Sequence, residues 1–324
     1  MAVRLPALAR AELDRRFTVH SLADATDAER MLEAVAPHLR AIATGAAILA
    51  ESPHLQLDVA FLSRFPKLEI IANLGVGYDN IDARHAVSRG IVVTNTPDVL
   101  TDETADTAMG LLLNAVREFP AAERYLREGG WTRKPFRLTA SLRGRTMGVI
   151  GLGRIGKAIA RRAEGFGVKI VYHGRSRQAD APYPWFASLV EMAKAVDILM
   201  VVTPGGPETR HLVNAQVLDA LGPDGVLVNI ARGSVVDEAA LIKALKERRI
   251  LAAGLDVFAA EPHVPPQLLA LDNAVLLPHV GSGSRHTRDM MNRLVVDNLV
   301  SWASGAGPLT PVAETPWPPA EKQG

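Results

Sequence analysis

The chain has 324 residues, 48% of them hydrophobic and 22% charged, with 36 Lys and Arg against 35 Asp and Glu. At about 150 residues per domain this length predicts two domains, each able to bury a core. The near-zero net charge argues against a nucleic-acid or polybasic membrane surface, and the absence of cysteine excludes a disulfide frame, thiolate-held zinc or iron–sulfur, and a thiol nucleophile. No run approaches the ~20 apolar residues of a membrane helix. The segment MAVRLPALARAELDRRF carries charge where a signal peptide needs its apolar core, so the expected location is cytoplasmic.

Short apolar, β-branched runs recur along the chain and predict buried strands at FTVH, AAILA, LEIIANL, GIVVTN, TMGVIG, VKIVYHG, DILMVV, GVLVNIA, AAGLDVF and AVLLPH. Between them AERMLEAVAPHL, GKAIARRAEGF and EAALIKALKER repeat apolar residues at helical spacing. The longest such pattern, Thr101 to Glu128, follows Thr96-Pro97-Asp98 and opens with Asp102, Glu103 and Asp106, acids suited to the positive end of a helix dipole. A last helical pattern runs from Thr287 to Trp302, and the Pro-rich tail PLTPVAETPWPPAEKQG excludes a regular helix or central strand there. Alternating strands and helices predict an α/β protein with parallel sheets flanked by helices.

One strand, Thr146 to Ile150, runs into Gly151-Leu-Gly153-Arg154-Ile155-Gly156 and then a helix. This is GxGxxG in the strand–loop–helix setting that dinucleotides require: tight turn, close backbone approach to pyrophosphate, and helix amides facing it. At the end of the next strand an NAD-selective site usually places an acid against the ribose 2′-hydroxyl. Here the residues are His173-Gly174-Arg175-Ser176-Arg177, and two guanidiniums suit a 2′-phosphate. The expected cofactor is therefore NADPH, with NADH weaker; the plain alternative is a solvated basic turn. A second pair, Gly75-Val76-Gly77, lacks the third glycine, and its amides suit either a small carboxylate or an ordinary turn.

Three polar residues follow strands of the nucleotide half: Arg232, Glu261 and His279. In open α/β sheets ligands lie beyond the strand carboxyl ends. There Arg grips a keto-acid carboxylate or carbonyl, His exchanges a proton with the substrate oxygen, and Glu orients the His. Each residue alone also has a structural explanation: a loop cap, a surface acid, a satisfied core histidine. The other histidines show no HExxH or similar spacing, so no metal is expected.

Together NLGVGYDNID, TNTPDVLTDETADTAMGLLL, GVIGLGRIGKAIA, TPGGPETRHLVN, NIARGSVVDEAAL, AGLDVFAAEP and LLPHVGSGS resemble the D-isomer-specific 2-hydroxyacid dehydrogenases over about residues 45–300, nearest to the NADPH-dependent glyoxylate/hydroxypyruvate reductases. The resemblance implies two Rossmann/flavodoxin-like domains with the active site in the cleft between them. Residues 1–98 and 286–324 would form the substrate domain and 99–285 the dinucleotide domain. It implies His279 as proton donor, Glu261 as its partner and Arg232 as substrate anchor, with Val76 and Gly77 amides on the carboxylate and Ser282 and Trp131 bordering the substrate. Around the cofactor it places Thr107, Gly151, Gly153, Arg154, Ile155, Gly156, Thr203, Pro204, Thr209, Ile230, Ala231, Asp256 and Gly281, and around the 2′-phosphate His173, Gly174, Arg175, Ser176 and Arg177. It further implies a homodimer joined through the nucleotide domain, with residues 101–131 contributing; the charge balance leaves neither nucleic-acid nor membrane partners expected. Formate dehydrogenases of this family pair the histidine with Gln, so Glu261 points to keto-acid chemistry. Phosphoglycerate and D-lactate members usually carry an acid where Arg175 and Arg177 stand. The alternatives are the same chemistry on another 2-oxo acid, of the 2-ketogluconate, arylpyruvate or phosphoglycerate type, or a nucleotide-sensing scaffold of the corepressor kind. One departure is GSGS at 281–284, where GSAT is common.

Overall fold

A computed structural model describes residues 5–45 and 56–318. The expected strand AAILA and the first four residues lie outside them. The chain divides into two compact units, one made of Met1–Leu100 with Ser284–Gly324 and the other of Thr101–Gly283.

In the first unit, parallel strands β1 (Ala41–Gly45), β2 (Ile70–Leu74) and β3 (Val92–Thr94) stand in the order β1-β2-β3. Every residue of β2 is buried, as expected of a central strand covered on both faces. The helices Ala28–Val35, Val59–Ser63 and Ala83–Ser88 each start at an aspartate, Asp27, Asp58 or Asp82, whose carboxylate accepts an otherwise unpaired first-turn N–H. Ile42, Leu57, Leu62, Phe65, Ile71 and Val93 fill the core. Helix Arg285–Ala303 packs on β2 and buries Met291, Val295, Leu299 and Trp302. Beyond it Pro311 bridges Thr94, Thr315 Oγ1 pairs with both the N–H and the carbonyl of Val93, and Tyr78 Oη donates to Glu314 at 2.8 Å. The expected strand at residues 17–20 is absent: this stretch leaves helix Ala7–Asp14 and pairs with no other strand among the described residues. Apolar pattern alone does not supply the neighbour that a strand's N–H and C=O groups need.

The second unit holds seven parallel strands: β4 (Thr146–Ile150), β5 (Lys169–His173), β6 (Trp185–Phe186), β7 (Ile198–Val201), β8 (Val226–Asn229), β9 (Ala252–Leu255) and β10 (Ala274–Leu276). Their order, β10-β9-β8-β7-β4-β5-β6, reverses direction at β4. A doubly wound sheet opens its ligand crevice at that reversal, outside the strand carboxyl ends. Helices Thr101–Arg117 and Arg154–Gly165 pack together through Ala105, Ala108, Leu112 and Ile159, in a core shared with β4, β7 and β8. A second core gathers Met192, Leu218, Leu241 and Leu245 from helices Leu189–Ala195, Ala215–Leu221 and Glu238–Lys246. Each such side chain, fully buried, contributes about 1.5–3 kcal/mol.

The single long helix expected from Thr101 to Glu128 is two. Thr101–Arg117 ends, Glu118 takes a left-handed conformation at φ 51°, and Phe119–Arg127 begins anew. Pro120 causes the break, because it has no N–H to donate and its ring would clash with the carbonyl of Val116 in a continuous helix. No helix among the described residues is long and apolar enough to cross a membrane.

Candidate active site

The loop after β4 is built by its glycines. Gly151 takes φ 98° and sits against the Thr203 backbone, where an added Cβ would lie 3.0 Å from both N and Cα. Gly156, in the first turn of helix Arg154–Gly165, allows that helix to press on the loop, for its Cβ would meet the Gly151 carbonyl oxygen at 2.3 Å. Nothing stands within 4 Å of a Cβ at Gly153, so this side of the loop is open at the helix N-terminus. A helix start without a side-chain cap and an uncrowded backbone at Gly153 fit a pyrophosphate, the group expected at Gly151, Gly153, Arg154, Ile155 and Gly156. Thr203 and Pro204 follow β7, and Thr209 Oγ1 donates to Pro204 O at 2.8 Å. Ile230 and Ala231 follow β8. Thr107 Oγ1 donates to Gly281 O at 3.2 Å.

The basic turn leaves β5 at His173 and Gly174, and Arg175, Ser176 and Arg177 are all exposed. No carboxylate among the described residues pairs with Arg175 or Arg177.

Arg232 and Glu261 are brought together by close backbone contact. Asn229, at the end of β8 and buried, donates from Nδ2 to the Arg232 carbonyl at 3.0 Å and accepts from Ala231 N–H at 3.0 Å, which turns the chain sharply and presents Arg232. The next residue, Gly233, lies on the Phe258 carbonyl, with 1.9 Å between that carbon and an added Cβ. Phe258 N–H in turn donates to Glu261 Oε1 at 3.0 Å. Glu261 Oε2 lies 2.7 Å from His279 Nδ1, and both side chains are about a third exposed. Burial alone would raise the Glu261 pKa, but the hydrogen bond and charge of His279, the Phe258 amide and the Arg232 guanidinium outweigh it and hold the acid below its ordinary range. An ionised Glu261 makes Nδ1–H the donor, leaving Nε2 for other work.

His279 is a non-glycine residue in the left-handed region, at φ 52°. Asp256 holds it there: its carbonyl accepts His279 N–H at 2.9 Å, and its two carboxylate oxygens take Val280 and Gly281 N–H at 2.7 Å each. Burial pushes the Asp256 carboxyl up, against the two amides and the His279 charge that favour its ionised form. Asp256, expected beside the cofactor, holds the His279 turn; Asn229 is a positioning group not among the expected residues, and its signal in the sequence is a polar residue ending an otherwise apolar strand.

Val76 and Gly77 belong to the other unit. Asn73 Nδ2 donates to the Gly75 and Gly77 carbonyls at 3.2 and 3.0 Å, and Asn95 Nδ2 to the Val76 carbonyl at 2.9 Å. With the carbonyls occupied, the Val76 and Gly77 N–H groups have no acceptor among the described residues. Ser282 is half-buried beside Gly281, while Trp131 is 69% exposed in the turn Gly130–Thr132. No group of three His, Asp or Glu among the described residues could hold a metal ion.

A carboxylate-backed histidine beyond the strand carboxyl ends of a doubly wound sheet stands where a ligand binds and can exchange a proton with it. The family described as D-isomer specific 2-hydroxyacid dehydrogenase, NAD binding domain, matches residues 109–281, and the chain belongs to that family. It is 46% identical to glyoxylate/hydroxypyruvate reductase A of Arabidopsis thaliana, over 93% of this chain and 94% of the relative. It is 45% identical to hydroxyphenylpyruvate reductase of Plectranthus scutellarioides over the same shares. Among solved structures, an NADPH-dependent glyoxylate/hydroxypyruvate reductase of Sinorhizobium meliloti in complex with NADP and malonate superposes with a TM-score of 0.86 and 50% identity, covering 97% of this chain and 95% of that one.

Proposed function

We propose that this chain reduces small 2-oxo acids, glyoxylate and hydroxypyruvate, to 2-hydroxy acids at the expense of NADPH. The 2.7 Å pair between His279 and Glu261 carries the reading. With Nδ1–H committed to Glu261, His279 holds its transferable proton on Nε2 and delivers it to the substrate's carbonyl oxygen. Glu261 fixes the ring and its tautomer through the Nδ1–H bond; Arg232 anchors the carboxylate and draws electron density from the carbonyl. NADPH, when bound, supplies the hydride. Val76 and Gly77 donate their free amides to the substrate carboxylate, and Ser282 and Trp131 border its variable group.

Gly151, Gly153, Arg154, Ile155 and Gly156 hold the pyrophosphate, with Thr107, Thr203, Pro204, Thr209, Ile230, Ala231, Asp256 and Gly281 around the rest of the cofactor. His173 to Arg177 receive the 2′-phosphate, a reading supported by two exposed guanidiniums with no carboxylate partner among the described residues and by NADP in the Sinorhizobium relative. The same proposal makes the chain a homodimer joined through residues 101–131, where Phe119, Leu126 and Trp131 expose large apolar surface.

A kinetic panel tests it. Glyoxylate and hydroxypyruvate should turn over with NADPH at higher kcat/KM than with NADH, and failure of every 2-oxo acid with both cofactors would overturn the proposal. The 45% identity to a hydroxyphenylpyruvate reductase favours an arylpyruvate as the second reading, which a higher kcat/KM for hydroxyphenylpyruvate would establish.

A further inference from the structure

The basic turn after β5 is held by groups at its two ends. Gln178 closes it: its backbone N–H donates to Tyr172 Oη at 2.7 Å, and its Nε2 donates to the Leu152 carbonyl at 2.9 Å. One residue thereby ties the end of the turn both to β5 and to the glycine loop. From the other side β6 braces it, with Trp185 Nε1 donating to Gly174 O at 3.2 Å and His173 Nδ1 lying 2.9 Å from the Phe186 carbonyl. Tyr172 is 1% exposed, so its hydroxyl is a fixed point rather than a mobile one. Arg175, Ser176 and Arg177 rise exposed between these anchors.

We propose that Gln178 is a positioning residue for cofactor selection: by bonding Leu152 it presets the distance between the Arg175–Arg177 turn and the glycine loop. Discrimination for a nucleotide carrying a 2′-phosphate then depends on a side chain committed to a backbone carbonyl. The inference rests on the 2′-phosphate reading above. Arginine is a long side chain whose fork recognises phosphate only when its base is correctly placed. A turn not held in advance is ordered at the moment of binding, and the entropy of ordering is drawn from the affinity for that phosphate. The 5′-phosphate half of the nucleotide needs no placed guanidinium, and the glycine loop that receives it keeps the close contacts of Gly151 and Gly156 when the Leu152 carbonyl loses Gln178. Gln178 should therefore separate the two.

Calorimetric titration of the unliganded protein with 2′,5′-ADP and with 5′-AMP, which differ only in the 2′-phosphate, measures this without turnover. Gln178→Met keeps the side chain's length and removes the donor. It should weaken 2′,5′-ADP roughly tenfold while 5′-AMP stays within twofold; the KM for NADPH should rise with that for NADH and kcat unmoved. Tyr172→Phe removes the acceptor for the Gln178 N–H and should shift the same ratio in the same direction, which decides the matter if Gln178→Met does not fold. Arg175→Ala with Arg177→Ala is the reference and should abolish the preference for 2′,5′-ADP. If that double variant loses the preference while Gln178→Met and Tyr172→Phe retain it, the role of Gln178 is overturned and the 2′-phosphate reading stands. Equal weakening of both ligands by Gln178→Met also overturns it, as that marks general damage to the domain. If the arginine variant keeps the preference, both readings fall together.

Discussion

Gly233→Ala places one methyl group between the two loops that carry Arg232 and Glu261, without altering either residue. Its Cβ would stand 1.9 Å from the Phe258 carbonyl carbon, 2.0 Å from the oxygen and 2.4 Å from Ala259 N, all backbone atoms with no rotamer to yield. Carbon atoms rest about 3.5 Å apart or more, so the loops must separate by roughly 1.5 Å. Overpacking of this kind costs about 1–3 kcal/mol, and at ~2–4 °C per kcal/mol for a domain of this size the Tm should fall by several degrees. The catalytic loss should be larger, because a misplacement of about 1 Å between reacting groups costs ~100-fold. Since the glycine loop is untouched, fluorescence titration should show NADPH binding within a few-fold of the parent while kcat/KM for glyoxylate drops ~100-fold or more. A Gly233→Ala enzyme with unchanged Tm and activity within threefold would refute the claim that this backbone contact sets the spacing of Arg232 and Glu261.

His279→Ala should lower kcat by ~10²–10⁴ with cofactor binding intact, as removal of a general acid does; more than half the parental kcat would return His279 to a structural role. Arg232→Ala should raise KM for the oxo acid and lower kcat together, since one guanidinium serves both ground state and transition state, and a collapse of NADPH affinity instead would withdraw its role as substrate anchor. Tyr78 gives a pH test: burial, then the hydrogen bond to Glu314 and that residue's charge, push its pKa up to about 12. A raised acid pKa means the neutral phenol is favoured by folding, so its stabilising share is whole below about pH 10 and is lost as pH rises toward 12. The urea midpoint of the parent should therefore fall relative to Tyr78→Phe between those limits, and a difference that does not change with pH would contradict the assignment.

The buried parallel strands were legible because runs such as LEIIANL, TMGVIG and GVLVNIA are apolar on both faces, and the glycine loop because its spacing sits between a strand and a helix. Residues 17–20 read as strand for the same reason and are not, since pairing is a property of the neighbour. β6 escaped notice: Trp185–Phe186 is two residues long, follows Pro184, and is recognisable only from its register with Tyr172 and His173. In the site, the roles proposed for Arg232, Glu261 and His279 rest on residue type and place after a strand. The pairing of Glu261 with His279 across 18 positions was expected from residue type and family resemblance, but the backbone arrangement that achieves it and the left-handed His279 were not, for no glycine marks that turn. Both depend on Asp256 and Asn229, whose hydrogen bonds run to backbone groups that every residue possesses.

The first unit is assembled from the two ends of the chain, and this sets an order on its synthesis. β1, β2 and β3 leave the ribosome early, yet helix Arg285–Ala303, which covers β2 with Met291, Val295, Leu299 and Trp302, follows about 190 residues after β3. At ~5–20 residues per second that gap is on the order of 10–40 s. During it Thr101–Gly283 is complete and contiguous, free to fold, while the small sheet waits with an apolar face in water. Nascent-chain yield should accordingly be limited by the half that finishes last, and a chaperone or a slowed stretch of translation would act on β1–β3 rather than on the nucleotide-binding unit.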